Sequence, residues 1–122
     1  MQPPARGDGI SVDYADDVLR VERTSPLPGV RLAGEVDLDN CAHVRSALIA
    51  QSGVGGGDLR VDVSSLCFID VAGMRTLVET ALMLDAGRRL VLSSASEDLC
   101  TLVELAGWDR VPGLVLETVT TR

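Results

Sequence analysis

No apolar run in this chain approaches the ~18 residues that a membrane-spanning helix requires. Its opening residues, Met1-Gln2-Pro3-Pro4-Ala5-Arg6-Gly7-Asp8-Gly9, also lack the apolar stretch of a secretory signal. The expectation is a protein without membrane insertion, resident in the cytoplasm. Basic residues are in short supply as well. Eleven Lys and Arg face 18 Asp and Glu, a formal net charge of −7, which repels phosphate backbones and makes direct nucleic-acid binding an unsuitable role. The three cysteines, Cys41, Cys67 and Cys100, show no Cys-x-x-Cys spacing, so a zinc site of that type is excluded. In a reducing compartment they read as free thiols filling core-facing gaps. A redox role would require exposure and a lowered thiol pKa. No Gly-x-Ser-x-Gly elbow occurs, and the glycine-rich stretch Gly53–Gly57 is followed by Asp58-Leu59 rather than by the Lys-Ser/Thr of a phosphate-binding loop. With a single histidine, His43, on the exposed side of a helix by period, no enzymatic activity is expected.

What is present is the material of one small α/β domain: 122 residues, 46% apolar and 24% charged, enough for a single core. Residues 1–16 mix Pro, Gly and acidic residues without an apolar period and read as a flexible N-terminal arm, leaving residues 17–122 as the domain. Val18–Arg23 reads as an edge strand, Ser25-Pro26-Leu27-Pro28-Gly29 as a turn, and Val30–Val36 as the returning strand. Either Asp39 or Asn40 would cap a first helix that ends near Gln51, with Val44, Ala47 and Leu48 facing inward. After the glycine loop, Leu59–Val63 alternates as a strand. Met74, Leu77, Val78, Ala81, Leu82 and Leu84 line one face of a second helix, with Gly87 placed to end it and Arg88-Arg89 to complement its C-terminus. Leu90–Leu92 is a short buried strand. A third helix follows, capped by Ser94 or Ser96, with Leu99, Leu102, Val103 and Ala106 facing the core, Gly107 ending it and Trp108 anchoring it. Leu114–Leu116 closes the chain as a last strand.

The informative stretch is Asp62-Val63-Ser64-Ser65-Leu66-Cys67-Phe68-Ile69-Asp70-Val71-Ala72-Gly73-Met74. It resembles the signature of STAS domains, the anti-sigma factor antagonist family, in which a strand ending Asp-Leu-Ser leads to Phe-Ile-Asp-Ser-Ser-Gly-Leu at the start of the second helix. Leu32-Ala33-Gly34-Glu35-Val36-Asp37-Leu38 is similar to that family's Gly-Glu-Leu-Asp-Leu, and Leu102-Val103-Glu104-Leu105-Ala106-Gly107 resembles its Val-Leu-Glu-Leu-Thr-Gly-Leu. Together these anchors cover roughly residues 18 to 118 in family order. The resemblance implies an α/β fold, a STAS-type mixed β-sheet of about four to five strands with α-helices packed on it. It also implies a protein partner, an anti-sigma factor of the serine kinase type, and no cofactor.

In the family the second Ser after the Asp receives phosphate. The matching position here is Ala72, which has no hydroxyl, and Val71 stands at the preceding Ser position. The resemblance therefore implies an antagonist lacking its switch residue. The contact is expected to run over Asp70, Val71, Ala72, Gly73, Met74 and Arg75 and over Asp37, Leu38, Asp39 and Asn40. Asp70 itself reads as a helix N-cap that also serves the contact. Gly73 suits either close approach by a partner or tight packing. Glu35, Asp37 and Asp39 with Asp70 bring oxygen donors near one another, but without an Asp-x-Asp-x-Asp-Gly loop they read as solvated strand-end carboxylates, not a metal site. Other roles consistent with the resemblance are a soluble subunit of an ABC-type lipid transport or signalling assembly and a small-ligand sensor. Oligomeric state is not readable from the residues.

Overall fold

The computed structural model describes residues 10–25 and 27–118, so Pro26 of the expected turn and the first nine residues of the expected arm lie outside the described residues. The elements are β1 (Ile10–Ala15), β2 (Leu19–Thr24), β3 (Gly29–Val36), α1 (Cys41–Ser52), β4 (Leu59–Ile69), α2 (Val71–Met83), β5 (Leu90–Ala95), α3 (Glu97–Leu105), a 3-10 turn (Trp108–Arg110) and β6 (Leu114–Thr118). The six strands lie in sequence order in one sheet, more than the four to five expected. β1, β2 and β3 pair antiparallel, whereas β3, β4, β5 and β6 pair parallel.

The extra strand corrects the reading of the expected arm for residues 10–15 only. Ile10–Ala15 forms a strand against β2, so Val18–Arg23 belongs to an inner strand, not an edge. Side-chain contacts tie the segment down. Asp16 accepts hydrogen bonds from the Val18 and Leu19 amides at 2.7 and 2.8 Å and another from the Tyr14 hydroxyl. The Tyr14 ring stacks on His43 of α1 with centroids 3.6 Å apart. A turn-forming aspartate and one aromatic contact supply what an alternation pattern interrupted by the register shift at Val12/Tyr14 concealed.

Parallel neighbours in sequence order need a crossover each, and the helices supply them: α1 joins β3 to β4, α2 joins β4 to β5, and α3 joins β5 to β6. The burial pattern shows which face they cover. Leu19, Val21, Val30, Leu32, Leu59, Val61, Leu90, Leu92 and Leu114 are buried on one face, together with Val44 and Leu48 of α1, Met74 and Leu77 of α2, and Leu99 and Val103 of α3. Alternate positions carry polar groups, including the Arg31–Ser65 hydrogen bond and the Arg60–Glu117 pair, which joins the strands on either side of β5. The result is a two-layer domain with one core.

Several local expectations change. Arg88 does not complement the end of α2. It donates to the carbonyl of Ser52 at the C-terminus of α1 and to Gly57, both at 2.9 Å, and so closes the glycine loop. Helix α2 ends at Met83, before Gly87, and leaves Leu82 exposed. Ser96, not Ser94, caps α3 through the Leu99 amide. Ala106 is exposed rather than core-facing, and Trp108 is half-buried against the core. Strand β4 runs on from Val63 to Ile69, because two register shifts against β3 let the extra residues continue the pairing.

Candidate functional site

Parallel strands β3, β4 and β5 end at the same edge of the sheet, and there the chain turns into all three helices. Asp70 sits at the centre of that edge. Its backbone is extended, and one carboxylate oxygen, Oδ1, accepts the Gly73 amide at 2.8 Å, which makes it the N-cap of α2. The other oxygen, Oδ2, accepts the Leu38 amide at 3.2 Å from the β3–α1 loop. One side chain thus caps a helix and ties a neighbouring loop to it. The cap is visible in the sequence. The bond to Leu38 is not, because it joins residues that only the β3–β4 pairing brings together.

The β3–α1 loop is built by reciprocal turns. Asp37 Oδ1 accepts the amides of Asp39 and Asn40 at 3.0 and 3.2 Å, while Asn40 Oδ1 accepts the Asp37 amide at 2.9 Å. The Asn40 amide group donates to the Glu35 carbonyl at 2.9 Å, and the residue is buried. Neither Asp39 nor Asn40 caps α1 through its side chain, although Asn40 holds the N-cap position. Leu38, at the tip, is 73% exposed.

At the start of α2, Val71 is exposed, Ala72 half-buried and Arg75 exposed, whereas Gly73 and Met74 are buried. Gly73 packs tightly: a Cβ there would lie 2.7 Å from both Ile69 Cγ1 and Val36 Cγ1, so packing against the sheet accounts for this glycine. The residues expected at the contact therefore divide. Leu38, Asp39, Val71 and Arg75 reach the surface, Asp37, Asp70 and Ala72 are half-buried, and Asn40, Gly73 and Met74 lie inside and support them. Phe68, just before Asp70, is 53% exposed and widens the apolar part of this end beyond the expected set. Its alternation with buried Ile69 was the available signal.

The charge distribution is uneven. Ion pairs lie elsewhere, as in Arg45–Glu79, Arg89–Asp58, Arg60–Glu117 and Arg23–Asp13. Among the described residues, none of Glu35, Asp37, Asp39, Asp70, Glu97 and Asp98 makes an ion pair. This edge is thus acidic and carries the exposed apolar side chains Leu38, Phe68 and Val71. No group of three or more metal-binding side chains occurs among the described residues. The surface presents chemistry for a protein contact: apolar anchors within a field that attracts cations.

The cysteines depart from expectation. Cys41 and Cys100 are half-buried and pack against the core, and burial raises the Cys100 thiol pKa. Cys67 is exposed on the irregular part of β4 and is no core filler. Among the described residues, no helix is long and apolar enough to cross a membrane.

Comparison with known proteins agrees with this geometry. A family model described as "Mlab, STAS domain" matches residues 19–117. A comparison with curated protein sequences found no match. Among solved structures, the chain is similar to the anti-sigma factor antagonist SpoIIAA in its unphosphorylated form, at a TM-score of 0.61 and 16% identity, covering 84% of this chain and 90% of that one. It is also similar to an anti-sigma factor antagonist from Mycobacterium paratuberculosis, at a TM-score of 0.59 and 22% identity over 92% of this chain and 90% of the other. The murine anion transporter Slc26a9 matches at a TM-score of 0.60 and 15% identity over 92% of this chain but only 21% of the transporter.

Proposed function

The chain belongs to the STAS domain family, and from that membership we propose that it acts as an anti-sigma factor antagonist. In this reading it is a non-enzymatic, cytoplasmic protein that binds a serine-kinase-type anti-sigma factor and so releases a sigma factor. The observation that carries the reading is the strand-end surface: acidic groups without ion pairs, with exposed Leu38 in the loop tied to Asp70 and exposed Val71 as the first residue of the helix that Asp70 caps. A cationic partner surface gains association rate and register from such a field, and the apolar side chains supply the desolvated contact. Similarity to two antagonists over most of the chain supports the same role.

Ala72, the second residue of α2, stands where the sequence resemblance puts the family's phosphate-accepting serine, and it has no hydroxyl to phosphorylate. Phosphate there would place about −1.5 to −2 charge in the contact. An antagonist without that hydroxyl binds constitutively or is governed by another input. The test is Ala72→Glu, which puts an anion at the helix start, where the macrodipole tolerates it, and leaves the fold intact. Calorimetry with the cognate kinase should then show affinity reduced at least about tenfold, a cost of ~1.4 kcal/mol or more. Unchanged affinity with an intact fold would place binding elsewhere.

A second reading, a soluble subunit of an ABC-type transport or signalling assembly, is favoured by the absence of a hydroxyl at Ala72 and by the occurrence of the same fold inside a transporter. Binding to a transport ATPase but not to any kinase would select it.

A further inference from the structure

Strand β4 is paired on both sides for only part of its length. Its ladder with β5 ends at Asp62↔Ser93, while its pairing with β3 continues to Ile69. Strand β5 turns away at Ser94, whose φ is +60°. The amide of Ser64, just beyond the ladder, is taken up by the Asp62 side chain at 2.9 Å instead of by a strand. The second half of β4 therefore faces not β5 but a groove, with α3 as its far wall. Leu66, Cys67 and Phe68 line one side and Leu99 and Leu102 the other, around a cavity of about 190 Å³. Among the described residues, Asp98 is the only charged side chain lining it, and Glu97 lies beside it in the first turn of α3.

Size and chemistry select the occupant. Pockets that enclose a whole small-molecule ligand begin at ~300 Å³, so this cavity has room for an apolar side chain, not for a nucleotide. A strand edge beside it offers main-chain pairing, the mode in which an extended segment adds to a sheet and places alternate side chains in pockets. A mouth lined, among the described residues, by an acidic side chain and no basic one calls for positive charge on the incoming chain. We propose that the groove between β4 and α3 binds an extended segment of a protein partner, with one large apolar side chain seated between Leu66 and Leu102 and an arginine or lysine beside Asp98. The groove shares Phe68 and Asp98 with the acidic end of the sheet but excludes the start of α2, so Ala72→Glu tells this inference apart from the kinase-binding reading.

The experiment uses the full chain, ¹⁵N-labelled, titrated with blocked pentapeptides. One carries a central leucine flanked by arginines, a second has glutamates in place of the arginines, and a third has alanine at the centre. Saturable shifts are expected at the amides of Ser65–Phe68 and Ser96–Leu99 with the arginine-flanked leucine peptide. The other two peptides should bind at least about tenfold more weakly. Asp98→Lys, at an exposed position, and Leu102→Arg, inside the groove, should each abolish the shifts, and Ala72→Glu should leave them in place. If Leu102→Arg does not fold, Asp98→Lys decides the matter. Absence of shifts at millimolar peptide, equal binding of the glutamate peptide, or shifts confined to Asp70–Arg75 would overturn the proposal. So would a short fatty acid that fills the cavity in preference to every peptide. Loss of kinase affinity in Ala72→Glu without any peptide shifts would sink the groove and leave the α2 surface standing.

Discussion

Replacing Asp70 by alanine removes two hydrogen bonds that converge on one side chain, and their separate values can be worked out and tested. The Oδ1 bond to the Gly73 amide is an N-cap, whose loss costs about 1 kcal/mol in most helices. The Oδ2 bond to the Leu38 amide joins two loops and, as one net hydrogen bond, contributes ~0.5–1.5 kcal/mol. Asp70→Ala should therefore destabilise the domain by about 2 kcal/mol, which for a domain of this size lowers the melting temperature by roughly 6–12 °C. Asp70→Asn separates the terms. Asparagine caps as well as aspartate, so the Gly73 bond survives, while its amide group cannot accept from Leu38. The asparagine variant should lose ~1 kcal/mol, about half as much. Thermal unfolding of both variants gives the totals, and amide hydrogen exchange apportions them: Leu38 should lose protection in both variants and Gly73 only in the alanine variant. If the two variants are equally stable, or if Leu38 exchange is unchanged in both, Asp70 does not bridge loop and helix.

Gly73→Ala should cost about 1–3 kcal/mol through overpacking, offset by up to ~1 kcal/mol of helix propensity, because the added methyl meets Ile69 and Val36 at 2.7 Å; urea denaturation reads the net loss. Cys67 should react with a thiol reagent well before Cys41 and Cys100 in the native protein, since it alone is exposed and burial holds the Cys100 thiol pKa up; peptide mapping after brief alkylation gives the order. Hydrogen bonding from Tyr14, and then from the Leu19 and Val18 amides, lowers the Asp16 pKa, and the Arg89 guanidinium does the same for Asp58. A carboxylate whose folded pKa is depressed stabilises the fold above its unfolded value. Stability should thus be level near neutrality and decline as pH falls below the ordinary aspartate range, with a smaller decline in Asp16→Asn and Asp58→Asn; denaturation at a series of pH values measures this.

Much of the architecture is written locally. Alternation in Leu59–Val63 and the apolar spacing Met74, Leu77, Val78, Ala81 in α2 are properties of a few neighbouring residues, and the structure preserves both, though not the face's expected continuation through Leu82 and Leu84. Asp70 is legible as a cap for the same reason, since a cap and its amide lie three residues apart. The motif anchors mark the chain as a STAS domain from sequence alone, because their order along the chain survives where overall identity does not. Tertiary structure decided what depends on residues far apart in sequence. Strand β1 exists because Asp16 turns the chain and Tyr14 finds His43. Asp70 reaches Leu38 because β3 and β4 pair to their ends. Burial of Met74, Asn40 and Gly73 withdrew from the surface residues that a linear motif had grouped with it. Exposure of Cys67 and Phe68 follows from register shifts that no local pattern encodes, because which face a strand residue takes is set by the partner strand beside it.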